Sequence, residues 1–192
     1  YGTSNQTVIR LSEVKAEKNY AIVITTNAGL WRYQIGDTIR FTSTSPYRFK
    51  ITGRTKHHIN VFGEELVIEN AETALADVSK AHQTSVIDFT AGPVFMDGKK
   101  KGKHEWIVEF KSPPKDINQF ISDLDKRLQE LNSDYEAKRY KNMTLDSLEM
   151  HVGRENLFHD WLKDRNKLGG QNKIPRLSNS REFVDVLLKM NR

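Results

Sequence analysis

The chain has 192 residues, 37% of them hydrophobic and 29% charged, with no cysteine and a net charge of +5, which is enough for one substantial core or two unequal lobes. Without cysteine there are no disulfides, no thiolate metal sites and no cysteine nucleophile, a composition suited to a cytoplasmic protein. No apolar run approaches the roughly 20 residues of a membrane span, no signal-peptide pattern opens the chain, and so mild a basic excess fits a polyphosphate-binding enzyme as readily as a nucleic-acid binder.

Residues 1 to about 52 read as consecutive β-strands. Thr7 to Leu11, Tyr20 to Thr26 and Thr38 to Thr42 are rich in β-branched residues and separated by polar or glycine-bearing breaks. Gly36-Asp37 and Gly53-Arg54 read as turns. Tyr47 to Thr52 alternates, with Tyr47, Phe49 and Ile51 on one face and Arg48, Lys50 and Thr52 on the other. So short a β-rich stretch buries little core alone, and it is expected to be the end of a larger domain. The opening Tyr1-Gly-Thr-Ser-Asn5, with no initiator methionine, is read as part of a longer protein.

The pattern changes after residue 52. Residues 53–68 are expected to cross over between the two parts, and residues 69–192 to form a compact α+β lobe with a mixed sheet covered by helices. Glu69 to Ala81 places Ala71, Leu75 and Val78 at helical spacing. Strands are predicted at Thr84 to Thr90 and His104 to Phe110, the second alternating Trp106, Val108 and Phe110 against Glu105, Ile107 and Glu109, with an Asp97-Gly98 turn between them. A helix opens at Asp116, whose side chain caps its free amides, with Gln119 at the capping-box position and an apolar stripe of Ile117, Phe120, Ile121, Leu124, Leu128 and Leu131. A strand near Leu145 to Val152, a helix from Asn156 to Asp164, a glycine-rich loop at Leu168 to Gln171 and a last helix from about Ser180 complete the lobe.

Three groups of residues stand in an informative order: Tyr33-Gln-Ile-Gly-Asp37, Gly53-Arg54-Thr-Lys56 and Gly170-Gln-Asn-Lys-Ile-Pro-Arg176. With Leu131-Asn-Ser-Asp-Tyr135, they resemble the C-terminal part of the auxin-responsive-promoter family of acyl-acid amido synthetases, in its bacterial branch. That family is a distant relative of the acyl-CoA synthetases and other adenylate-forming enzymes. The resemblance runs over nearly the whole chain.

What the resemblance implies is an ATP- and Mg²⁺-dependent ligase that converts a small carboxylic acid to its acyl-adenylate and passes the acyl group to an amino acid or other amine. Tyr33, Gly36, Asp37 and Arg54 would bind nucleotide, the Asp37 carboxylate accepting from both ribose hydroxyls. Lys173 would be catalytic, its cation stabilising the crowded negative charge as a carboxylate attacks the α-phosphate. Gly53 and Lys56 would be the hinge about which the small lobe turns between half-reactions. The phosphate loop, the acyl pocket and most Mg²⁺ contacts would lie upstream, so the fragment alone is expected to be inactive. Glu65 stands where plant members carry a lysine, and no nucleotide contact is carried onto it.

Two other readings share some of these features. A CoA ligase would use the same adenylation step. A non-catalytic RNA-binding module would use Lys99, Lys100, Lys101, Lys103 and Arg176, although no stacking-platform motif accompanies them. His57-His58 lack the spacing of a metal site, and none is expected.

Overall fold

The computed structural model describes residues 8–54, 58–98, 100–140, 144–169 and 173–192. The chain divides into two compact units, Tyr1–Lys56 and His57–Arg192.

The first unit is an antiparallel sheet of β1 (Asn19–Ile24), β2 (Tyr33–Thr44) and β3 (Tyr47–Arg54), in that order. Its buried centre is Phe41, met edge-on by the rings of Tyr20, Tyr47 and Phe49 at centroid separations of 6.0, 6.1 and 5.9 Å. Three local expectations are corrected here. Val8 to Arg10 is not a strand. It leads into a single 3-10 turn, Leu11–Glu13, where the Glu13 carboxylate accepts the Arg10 N–H at 2.7 Å, a local bond that competes with ladder pairing. Nor is Gly36-Asp37 a turn, because β2 runs through it. The β1–β2 register passes from Ala21↔Thr38 to Val23↔Gln34, leaving residues 35–37 opposite the single residue Ile22. That is a β-bulge, and Gly36 absorbs it at φ +88°, which costs a residue without Cβ little. Gly53-Arg54 likewise continues β3, paired with Thr38 and Asp37.

The second unit begins with the short antiparallel pair β4 (His58–Ile59) and β5 (Leu66–Val67), followed by α1 (Ile68–Ala81). Its main sheet has the order β6-β7-β8, with β6 (Ser85–Val94) antiparallel to β7 (Lys103–Ser112) and β8 (Glu149–Gly153) parallel to β7. Between β7 and β8 lie α2 (Ile117–Leu131) and α3 (Ser133–Arg139); after β8 come α4 (Leu157–Asp164) and α5 (Glu182–Met190). One core joins Trp106, Val108 and Phe110 to Leu75 of α1, Phe120, Leu124 and Leu128 of α2 and Tyr135 of α3. A second joins Ile107 to Leu157, Phe158 and Trp161 of α4 and Val184 and Leu187 of α5. The sheet is therefore covered by helices on both faces, and β7, its central strand, is buried on both.

Burial on the second face gives the carboxylates of β7 structural work. Glu109 accepts the N–H groups of Asn156 and Phe158 at 2.7 and 3.2 Å, closing the start of α4. Asn156 itself sits at φ +60° and makes no side-chain cap, so a strand residue supplies what the helix lacks. On the other face α2 is capped as expected, Asp116 accepting the Gln119 N–H at 3.0 Å. The capping box is only half closed, because the Gln119 amide turns to Asp123 instead, at 2.9 Å. The sequence reading missed α3. Asn132 caps it by accepting the Tyr135 N–H at 2.7 Å.

Two buried polar groupings lie in the first core. Tyr135 Oη donates to Asp125 at 2.7 Å, and Arg139 donates to the same carboxylate from Nε at 3.0 Å and Nη2 at 2.7 Å. Burial, followed by the charge of Asp125, holds the Tyr135 phenol well above its ordinary range. Glu64 and His104, both fully buried at the side chain, pair at 2.8 Å, and Glu64 also accepts the Phe62 N–H at 2.7 Å. Burial pushes the Glu64 carboxyl up, but the hydrogen bond and charge of His104, with nearby backbone N–H groups, more than offset this and hold it below its ordinary value. Its stabilising effect is therefore present above the unfolded-state value and is lost as pH falls through the lowered folded-state value. Acid unfolding of Glu64→Gln should show a protein weaker near neutrality, with a flatter stability profile as pH falls through and below the ordinary glutamate range. An acid profile parallel to that of the wild type would show that the pair carries no linkage.

Candidate functional site

The bulge of β2 places Tyr33, Gly36 and Asp37 on one stretch of strand, with Tyr33 paired to Ile24 and exposed. Directly across the β2–β3 ladder, Asp37 pairs with Arg54 and Thr38 with Gly53. Five residues singled out from two separate motifs, Tyr33, Gly36 and Asp37 on β2 and Gly53 and Arg54 on β3, thus lie on adjacent strands at one end of the first sheet. Asp37 is half-buried, and aromatic surface is exposed at the start of β2 and just before it, Tyr33 at 51% and Trp31 at 79%. A carboxylate beside exposed rings can hold a diol and stack a base. Lys56 lies outside the described residues.

Lys173 belongs to the second unit. It is exposed, and among the described residues it has no hydrogen-bond or ion-pair partner. The residues after it are held firmly. Ile174, 2% exposed, plugs the core under α4 and α5, while Leu177, fully buried, plugs the core on the opposite face. Between these plugs the chain lies along the outer edge of β6. Ala91 N–H donates to Arg176 O at 2.9 Å, Ser178 N–H donates to Ala91 O at 3.1 Å, and Thr90 Oγ1 donates to Pro175 O at 2.7 Å. The Arg176 guanidinium bonds to Asp88 at 3.2 Å, pairs with Glu72 and lies 5.2 Å from the Phe89 ring centroid. An exposed lysine is thus joined to a fixed anchor. Gly170, at the start of the motif, lies outside the described residues.

A cleft of about 440 Å³ runs between α1 and β6, floored by Leu75, Val86 and Phe89 with Arg176 on its wall; Lys173 does not line it. A further cluster joins Glu105, Glu149 and His151, whose ligand atoms lie within 4.8 Å of one another. Arg181 pairs with Glu105 at 2.7 Å and Lys103 pairs with Glu149, so cationic side chains already supply the neutralisation that a metal would. The same pairing weakens the RNA-binding reading. Lys103 and Arg176, two of its five cations, are engaged by carboxylates, and Lys99 lies outside the described residues. His57 also lies outside them, and His58 Nε2 meets Asn179 at 3.4 Å.

The sequence reading overlooked several residues that hold these positions. Glu72, Asp88 and Thr90 are ordinary surface and strand residues in the one-dimensional pattern, and only their distance from Arg176 and Pro175 reveals their work. Asn179 carried no signal beyond its closeness to the motif.

Residues 69–182 match the GH3 family C-terminal domain and residues 2–54 the GH3 family central domain. Indole-3-acetic acid-amido synthetase GH3.4 of Arabidopsis thaliana is 26% identical over 193 residues, covering 91% of this chain and 31% of the relative. Jasmonoyl–L-amino acid synthetase GH3.5 of Oryza sativa subsp. japonica is 27% identical over 183 residues, covering 89% and 30%. The 4-substituted benzoates-glutamate ligase GH3.12 of Arabidopsis thaliana is 22% identical over 205 residues, covering 97% and 35%. In fold the chain is similar to a solved GH3.15 acyl acid amido synthetase, with a TM-score of 0.73, 23% identity and coverage of 96% of this chain and 36% of that one. The chain spans about a third of the length of the curated relatives it matches.

Proposed function

The chain belongs to the GH3 family, and from that premise we propose that it is the C-terminal part of an ATP-dependent acyl-acid amido synthetase. The observation that carries this reading is the pair of matches, to the central and the C-terminal domain, among relatives whose names all describe ligation of a carboxylic acid to an amino group. Residues 1–52 would be the β-rich end of the adenylation domain, 53–68 the hinge and crossover, and 69–192 the mobile lobe.

In the first half-reaction a carboxylate oxygen of the acid attacks the α-phosphorus of ATP. The bond to the β-phosphate oxygen breaks and pyrophosphate leaves. Asp37 would hold the ribose, with Tyr33 and Arg54 beside it and Gly36 shaping the bulge. Lys173 would stabilise the charge that gathers around phosphorus. In the second half-reaction an amine attacks the acyl carbon, AMP leaves, and the nitrogen loses a proton to give the amide. Gly53 and Lys56 would absorb the torsions as the lobe turns. Mg²⁺, held mainly by the upstream domain, would supply charge that neutralises the phosphates, and the dependence on ATP suits a cytoplasmic setting. The acids named for the relatives differ from one another, so an auxin role is not inherited.

The full-length enzyme should exchange labelled pyrophosphate into ATP only when a suitable small carboxylic acid is present, and it should release an amide when an amino acid is then added. Absence of exchange across a broad panel of acids would remove the adenylation reading. Exchange followed by thioester formation with CoA, and no amide with any amine, would make it a CoA ligase.

A further inference from the structure

Asn179 lies six residues beyond Lys173, and its side chain reaches the strand that begins just after the proposed hinge. The amide oxygen accepts the Asn60 N–H at 2.7 Å, and the amide nitrogen donates to His58 O at 3.1 Å. Two backbone groups on one edge of the chain are thus met by one side chain, as a peptide group of a neighbouring strand would meet them. Asn60 is fixed in turn, its Oδ1 accepting the Glu65 N–H at 3.2 Å. On the other side of Asn179, Ser178 is bonded to Ala91 of β6, and the Ser180 N–H donates to Ser178 Oγ at 3.1 Å. Further along, Arg181 Nη1 donates to Pro93 O at 3.1 Å.

A rotating lobe is useful only if the motion made at the pivot reaches the catalytic group without loss. The chain enters the second unit at His57, and the route through covalent bonds from there to Lys173 is more than a hundred residues long. The route through Asn179 is one side chain and one short anchored segment. We propose that Asn179 is a positioning residue that fastens the strand leaving the hinge to the segment bearing Lys173, so that rotation about the hinge delivers the lysine as part of one rigid piece. This rests on the adenylation reading above.

The test is a double-mutant cycle in the full-length enzyme, with single-turnover formation of acyl-adenylate as the readout. Asn179→Ala should slow that step by about 10–10²-fold, the loss expected when a catalytic group is misplaced by about an ångström, with the KM for ATP unchanged. Lys173→Ala/Asn179→Ala should be no slower than Lys173→Ala alone, because a residue that acts only through the lysine has nothing left to position. Asn179→Asp keeps the acceptor for Asn60 N–H and loses the donor to His58 O; it should fall between the wild type and Asn179→Ala, and it carries the cycle if the alanine variant does not fold. Slowing that multiplies in the double variant would overturn the proposal, since it marks general structural damage. So would Asn179 variants as fast as the wild type. A wild-type enzyme that makes no adenylate with any acid would overturn the function reading itself, a pattern distinct from either of these.

Discussion

Lys173→Ala should slow adenylate formation in the full-length enzyme by about 10²–10³-fold, the cost of losing one electrostatic stabiliser of a charged transition state. Acyl transfer from a supplied adenylate should proceed at nearly the wild-type rate, because the lysine would have turned away by then. The surroundings make the experiment clean. Lys173 is exposed, while Ile174, Leu177 and the β6 contacts hold the following segment without it, so truncating the side chain removes a charge and little packing. The converse variant, Lys56→Pro, would fix φ at the pivot and should let adenylate form while transfer stalls. Equal slowing of both half-reactions by Lys173→Ala would mean a site that does not rotate, and the two-position mechanism would fall.

Asp125→Ala should destabilise the second unit by about 3–5 kcal/mol, the cost of stripping a buried charge of its partner. Asp125 is itself buried, as are Tyr135 and Arg139. Without the carboxylate, the Arg139 guanidinium would lose the partner it meets through both Nε and Nη2, and the Tyr135 hydroxyl would lose its acceptor. Because α2 carries Asp125 and α3 carries the other two, the loss would loosen the joint between those helices. Urea unfolding followed by the fluorescence of Trp106 and Trp161, both buried in this unit, would report it as a lower midpoint at unchanged slope. A shift below about 1 kcal/mol, the range of exposed ion pairs, would mean that the buried network does not form. Asp77, whose pair with Arg127 is exposed, provides the contrasting substitution, with little effect expected.

Helix α2 could be read before any fold was known, because its signals are local. Asp116 precedes the first turn, and Phe120, Leu124 and Leu128 recur at helical spacing. Helix α1 and the bounds of β6 and β7 were legible for the same reason, apart from a few residues at their ends. The Gly36 bulge was not, since a glycine followed by an aspartate serves a turn and a bulge equally well. The choice is made by the register of β1 against β2, which depends on residues a dozen positions away.

Determined by the sequence itself were the mixed α+β lobe, the run of strands before it and the order of the three motifs, because each rests on side-chain period or on short spacing along the chain. Tertiary structure alone decided which faces are buried and which charges are spoken for. Alternation along β7 separates Glu105, Ile107 and Glu109 from Trp106 and Val108, but only the layer of α4 and α5 buries that second set and turns Glu109 into a helix cap. In the same way, Arg176 reads as a free cation until Asp88 and Glu72, 88 and 104 positions away, are seen beside it. Hydrogen bonds and ion pairs act over about 3 Å in space whatever the separation along the chain, so contacts of that kind leave no period in the sequence to be read.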